Sequence, residues 1–163
     1  MVNHYTANRR KRSDDAYTPN GNAGMRPDYP TIVYTDALKK LFPDVPIIVG
    51  GIEASMRRLA HYDYWQDTLK PSIMIDCKAD LLIYGMGEKP ILEIANALKS
   101  GKHISELTNI PQTTLRCPID YIPNETSDNE IVLHSFEECK NDKKKQAENF
   151  KNIEIESNRW QGR

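Results

Sequence analysis

The 163 residues are 39% hydrophobic and 28% charged, with a net charge of −1. This is an ordinary globular composition, and it gives no global attraction to nucleic acid or to an anionic membrane. No apolar run approaches the ~20 residues of a membrane span, and the opening "MVNHYTANRRKRSDD" lacks the apolar core of a secretory signal. Cys77, Cys117 and Cys139 lie 40 and 22 residues apart. That spacing reads neither as a disulfide framework nor as a CxxC metal site, and points to a reducing, cytoplasmic setting.

Residues 1–30 are rich in Pro, Gly and Asn and read as a polar arm or loop. The basic run Arg9–Arg12 invites an RNA-binding reading. A solvated loop is the plainer one, because Asp14 and Asp15 dilute the charge. The spacing predicts a helix over 31–42, with Tyr34, Ala37, Leu38, Leu41 and Phe42 on one inward face and Pro43 and Pro46 ending it. Ile47–Val49 forms a short, continuously apolar strand of the kind that is covered on both faces. Gly50 and Gly51 turn the chain into a second helix over 52–60. Its inner side would be Ile52, Ser55, Met56, Leu59 and Ala60, with Arg57 and Arg58 on the flanks.

Residues 61–70 read as irregular, and "SIMIDCKAD" as a short helix or turn. A second strand follows over Leu81–Tyr84, broken by "GMGEKP". Pro90 suits the first turn of a helix whose face is Ile91, Ile94, Ala95 and Leu98, with Gly101 as its stop. "TTLRCPIDYI" and "EIVLHSF" are candidate strands. Ser135 and Glu138 form a capping box that opens a helix near 136–150, and its lysines Lys143–Lys145 would suit the helix dipole. The last twelve residues allow a short strand.

The alternation over 31–100 defines an α/β fold: a partial parallel sheet flanked by helices, with a less regular C-terminal segment. The expected division is an arm over 1–30, a sheet-bearing unit over 31–105 and a linking region over 106–163. Two strong strands are too few for a stable open sheet, which points to a piece of a larger protein.

Both glycine turns, Gly50–Gly51 and Gly85–Glu88, fall after a strand and before a helix. In a parallel sheet they share the edge where ligands bind. Gly50, Gly51, Gly85 and Gly87 allow close backbone approach there, and the helix starts offer N–H groups to an anion. Tight turns alone would explain the same glycines. The GxGxxG fingerprint and the P-loop lysine pattern are absent. Arg57 and Arg58 are candidate clamps for a phosphate or carboxylate, against a reading as solvated flanks. Glu53, Ser55, His61, Asp63 and Glu88 complete the candidate set. His61 is an acid–base group in one reading and a structural histidine in the other. Tyr62, Tyr64 and Trp65 read as packing anchors.

The segments "MVNHYTANRRKRSDDAYTPNG", "RPDYPTIVY", "GGIEASMRRLAHYDYW" and "ADLLIYGMGEKPILEIA", in this order, resemble the N-terminal domain of the YgiQ family of radical SAM proteins. The resemblance implies a Rossmann-like domain similar to the cobalamin-binding domains of other radical SAM enzymes. The histidine motif that ligates cobalt is not evident, so no cobalamin is expected.

The resemblance also implies a following barrel domain in cis. Its CxxxCxxC loop would hold a [4Fe–4S] cluster that binds S-adenosylmethionine and cleaves it to a radical. That loop is missing here, and Cys77, Cys117 and Cys139 do not match its spacing. The expectation is a fragment, inert on its own, that lacks the first strands of the sheet. Met1 would then be an internal methionine. The alternative is a stand-alone module binding an anionic small molecule at the glycine edge. Neither nucleic acid nor a membrane is expected as a partner, and the sequence leaves the oligomeric state open.

Overall fold

A computed structural model describes residues 4–121 and 130–158. Helix α1 is Pro30–Leu41, strand β1 is Ile48–Val49, and helix α2 is Gly51–Met56. A hairpin of β2 (His61–Asp63) and β3 (Thr68–Lys70) follows, then the one-turn helix α3 (Ile73–Asp76) and strand β4 (Leu81–Ile83). Helix α4 is Glu88–Lys99, β5 is Thr113–Thr114, and helices α5 (Phe136–Asn141) and α6 (Lys143–Ser157) close the order.

The protein is α/β with a mixed sheet ordered β1-β4-β5, in which β1 pairs parallel with β4 and β4 pairs antiparallel with β5. β4 is the centre. Its Leu81, Leu82 and Ile83 are all buried, as a strand covered on both faces requires. Leu82 faces Ala54 of α2, Ile73 and Met74 of α3, Cys77 and Ala79, with Ile32 of α1 packed against them. Leu81 and Ile83 face Ile94 of α4, then Ile104 and Leu107 beyond it. Helices α1, α2 and α3 therefore cover one face, and α4 with the 3₁₀ turn Ile104–Glu106 covers the other.

Several expectations need correction. The face expected to pack from α1 is exposed: Tyr34, Ala37, Leu38, Leu41 and Phe42 all lie at the surface. The helix docks instead through Ile32 and the buried Thr35, whose hydroxyl bonds back to the Thr31 carbonyl at 2.8 Å and accepts from the Lys78 N–H. Helix α2 stops at Met56, where the Arg57 N–H is shared between the Glu53 and Ala54 carbonyls. Ala54 is its buried residue, whereas Ile52 and Met56, expected inside, are exposed. On α4 the packed residues are Pro90, Ile94, Ala97 and Leu98, so Ile91 and Ala95 of the expected face lie outside. On α1 and α2 the 3.6 period found a helix and misjudged which side the sheet covers, whereas on α4 Ile94 and Leu98 of the expected face do pack on it.

The irregular segment 61–70 is the β2–β3 hairpin, turned at Asp67 with φ +54°. Of the two later candidate strands only Thr113–Thr114 forms, and 130–135 carries no strand. The capping box at Ser135 and Glu138 is present. It opens the six-residue α5 rather than one long helix, because Asp142 leaves helical geometry and caps α6 by accepting from the Lys144 N–H at 2.8 Å. Lys143–Lys145 thus sit at the start of α6, where the dipole disfavours them. Glu138 answers Lys145 at 2.6 Å, and that pairing holds the Glu138 carboxyl down to about 2. The expected short strand at the end is helical as far as Ser157.

The arm is ordered by its own contacts. Asp15, 2% exposed, takes a two-pronged hydrogen bond from Arg26, both prongs at 2.7 Å. The Arg26 guanidinium, against the opposing cost of burial, holds the Asp15 carboxyl below its usual range. Asp28 accepts from Tyr5 and pairs with His4. Arg9 stacks 4.5 Å from the Tyr64 ring centroid and donates to the Tyr64 carbonyl. Tyr5 meets Trp65 at 5.0 Å between ring centroids. The aromatic run after Arg58 therefore anchors the arm to the hairpin, and two members of the basic run, Arg9 and Arg12, bond to carbonyls of the chain itself.

Candidate functional site

Parallel β1 and β4 bring their carboxyl ends, and so both glycine turns, to one edge of the sheet. Gly51 has φ +82° and Gly85 has φ +71°, so any other residue would be strained at either position. Space differs between the two. A Cβ on Gly51 would meet open solvent, whereas one on Gly85 would come within 3.0 Å of the Gln112 side-chain nitrogen. Gln112 fastens the second turn, because its carbonyl accepts from the Tyr84 N–H at 3.0 Å. Gly87 caps α4, and Glu88 lies exposed in the first turn, where its charge suits the dipole.

The polar candidates separate into two groups. Glu53, Arg57 and Asp63 join one network. Glu53 accepts from the Thr31 hydroxyl at 2.6 Å and backbone N–H at 3.3 Å, which ties α2 to the first turn of α1. Arg57 lies between the Glu53 and Asp63 carboxylates, at 3.7 and 4.0 Å, with its guanidinium 4.9 Å from the Tyr29 ring centroid. Asp63 is 3% exposed and accepts from the Tyr29 hydroxyl and the Trp65 and Gln66 N–H groups. Burial pushes the Asp63 carboxyl up, but these donors and the Arg57 charge outweigh it and hold the group below its ordinary value. Burial and the Asp63 hydrogen bond push Tyr29 up to about 12.

His61 does not join this network. Its Nδ1 lies 3.1 Å from the Leu59 carbonyl, and burial pushes the imidazole down, so it is held neutral near pH 7.

Arg58 belongs to the second group. It donates to the Ser55 carbonyl at 2.6 Å and stacks 4.6 Å from the Tyr84 ring centroid. Of the sequence candidates it alone lines a cavity of about 400 Å³, whose other walls are Leu59 and Tyr84 near the edge and Ile131, Leu133, Asn152, Ile153, Glu156 and Ser157 beyond. That volume lies in the range of small-molecule sites. Tyr29, Thr31, Tyr84 and Gln112 were missed from sequence. Tyr29 stands 34 positions from Asp63, and no local spacing links residues that far apart. Tyr84 carried the one available signal, an aromatic ring at the carboxyl end of a central strand.

All 163 residues match the family described as "Radical SAM N-terminal". The chain belongs to that family, as the N-terminal region of a YgiQ-type radical SAM protein. It is 60% identical over 161 residues to a UPF0313 protein of Porphyromonas gingivalis, covering 99% of this chain and 25% of that protein. It is 53% identical over 172 residues to a UPF0313 protein of Bacteroides thetaiotaomicron, covering 98% of this chain and 27% of the relative. It is 54% identical over 115 residues to the UPF0313 protein YgiQ of Escherichia coli, covering 71% of this chain and 16% of that one. The chain thus spans about a quarter or less of the curated relatives it matches. No solved structure matches it.

Among the described residues, no three His, Cys, Asp or Glu side chains converge as a metal site. Cys77 lies in the sheet core and Cys139 lies beside Asn149, both buried, while Cys117 is exposed. A [4Fe–4S] cluster needs three converging thiolates besides the open iron. The described residues do not fit that group. No described helix is long and apolar enough to cross a membrane.

Proposed function

We propose that this chain is the N-terminal accessory portion of a YgiQ-like radical SAM iron–sulfur protein, an enzyme of the reducing cytoplasm. In this reading the sheet-bearing unit expected over 31–105 runs on to include β5 at Thr113–Thr114. The residues after β5 lead towards a barrel that holds the [4Fe–4S] cluster and S-adenosylmethionine. The carrying observation is the match of the whole chain to a quarter of relatives four times its length. The scattered cysteines agree with a cluster held elsewhere.

The test is anaerobic reconstitution of the isolated chain and of the full-length P. gingivalis relative. The relative is expected to take up a cluster with visible absorbance and to cleave S-adenosylmethionine, and the isolated chain to bind no stoichiometric iron. Stoichiometric iron on the chain, or none on the relative, overturns the proposal.

One observation favours a second role for the same edge. The cavity beside Arg58 and Tyr84 sets a guanidinium and an aromatic ring beside the apolar Leu59, Ile131, Leu133 and Ile153, with Asn152, Glu156 and Ser157 as its polar wall; the Arg58 end suits a single anionic group of a small molecule, and the Glu156 carboxylate disfavours a second one at the far end. A thermal-shift screen of phosphorylated and carboxylated metabolites is expected to find a stabilising ligand whose effect disappears in Arg58→Ala and persists in Arg57→Ala, since Arg57 is engaged by carboxylates. Equal loss in both variants would place the ligand elsewhere on the glycine edge.

A further inference from the structure

The cavity at Arg58 has a neighbour. A second cavity of about 250 Å³ adjoins it, and Leu59, Leu133 and Ile153 line both. Leu59 lies between α2 and β2, on the sheet side. Leu133 precedes α5 and Ile153 stands on α6. The two cavities therefore run along one seam between the sheet and the helical pair, divided by three aliphatic side chains. Such a partition offers no hydrogen bond to break, and rotamer changes on binding are common.

The two cavities ask different things of an occupant. In the first, Arg58 commits one of the five N–H groups of its guanidinium to the Ser55 carbonyl at 2.6 Å. Glu156 stands in the wall that α6 contributes, so one cation faces one carboxylate across the same space. A single negative charge at Arg58 is matched, and a second would meet Glu156.

The second cavity has apolar walls at Ala60, Pro71, Ile75 and Phe136. Its polar side chains are bonded on their own sides of the seam. The Ser72 hydroxyl donates to the Arg58 carbonyl at 2.6 Å. The Asn149 amide accepts from the His134 N–H and donates to the His134 carbonyl, both at 2.9 Å. His134 Nε2 lies 2.8 Å from the Glu148 carboxylate. A polar group placed here would lose its water and meet groups already engaged, whereas an apolar one gains by burial.

We propose that the two cavities form one binding site for an elongated monoanion. Its carboxylate sits at Arg58, and its apolar chain passes between Leu59, Leu133 and Ile153 into the second cavity. The inference rests on reading the Arg58 cavity as an anion site, and it names the class of molecule that fills it. A phosphate monoester carries nearly two charges at neutral pH, and Glu156 selects against it. The occupant touches both sides of the seam, so it fastens α6 to the sheet.

The 163-residue chain is titrated with butanoate, octanoate, octanol and octyl phosphate, each below its micelle concentration, by calorimetry and by melting temperature. Octanoate is expected to bind at least about fifty-fold more tightly than butanoate, since each buried methylene contributes roughly four-fold. Octanol and octyl phosphate are expected to bind at least about ten-fold more weakly than octanoate. Arg58→Ala is expected to remove the advantage of octanoate over octanol. Ala60→Phe fills the second cavity, and is expected to leave butanoate affinity unchanged and to abolish the gain from chain length. If Ala60→Phe does not fold, Ile75→Trp closes the same cavity from a position that is 60% exposed, with the same expectation. If the chain does not fold alone, the full-length P. gingivalis relative is titrated with the same four compounds.

Equal affinity for butanoate and octanoate, both lost in Arg58→Ala, overturns the elongated ligand and leaves the anion site standing. A chain-length gain that survives the filling of the second cavity also overturns it, because the tail then lies elsewhere. Octyl phosphate binding more tightly than octanoate overturns the single charge. Octanol binding as tightly as octanoate, or no binding by either carboxylate, overturns the anion reading together with the inference.

Discussion

Asp63→Ala is expected to lower the free energy of unfolding by about 3 kcal/mol at neutral pH, read by urea denaturation. The carboxylate is buried and answers three donors: the Tyr29 hydroxyl at 2.9 Å and the Trp65 and Gln66 N–H groups at 2.9 and 3.3 Å. Hydrogen bonds to a charged group contribute about 1.5–3 kcal/mol each, and donors stranded by truncation add a desolvation cost, offset here because Gln66 is partly solvated. The loss also frees Arg57 from one of its two carboxylates.

The pH dependence separates charge from packing. The folded Asp63 carboxyl is held below its unfolded value of about 3.9, so its contribution is fully present above that value and is lost as pH falls through the folded one. The gap between wild type and Asp63→Asn is therefore expected to narrow below about pH 4. A gap constant from pH 7 to 3 would show that the carboxylate charge contributes nothing. Tyr29 gives the mirror image. Its folded value of about 12 exceeds the ordinary 10, so stability is expected to fall as pH rises from 10 towards 12, and less so in Tyr29→Phe.

Leu82→Ala is expected to cost about 3–4 kcal/mol, the upper part of the range for a leucine truncated where the surroundings cannot collapse. Leu82 is fully buried at the middle of the central strand, against Ala54, Ile73, Met74, Cys77 and Ala79. Three of its neighbours are small or short, and β1 and β5 hold the strand on both sides, so little can move into the void. Leu41→Ala on α1, which is 71% exposed, is the internal control, expected within about 0.5 kcal/mol of wild type. A Leu82→Ala loss below about 1 kcal/mol would mean that the sheet core is loosely packed.

The sequence showed the alternation of strands and helices because central strands and periodic helices leave local signals. The glycine turns were placed at the correct edge for the same reason. The helix faces were misread because α1 carries two apolar sides, and period alone does not say which one meets β4. The β2–β3 hairpin hid among charged and aromatic residues, since its turn uses Asp67 at positive φ where a glycine would have announced it. The site was half legible. Arg57 and Arg58 are adjacent in sequence and were taken as a pair. The chain leaves helical geometry at Arg57, sending one guanidinium to Tyr29 and Asp63 and the other to Tyr84. Partners 26 to 34 positions away have no spacing rule.

The three cysteines give the fold a built-in set of chemical clocks. Burial pushes the Cys77 thiol up, and the Cys139 thiol likewise. An alkylating reagent attacks the thiolate, so neither reacts until its surroundings open, while the exposed Cys117 is modified at once. Cys77 sits beneath the sheet and Cys139 beside α6, next to Asn149. Their labelling half-lives therefore record two openings in one untouched molecule. Equal half-lives would mean that α5 and α6 unfold with the sheet as a single cooperative unit. Faster labelling of Cys139 would mean that the helical pair detaches first, as a foldon separate from the sheet.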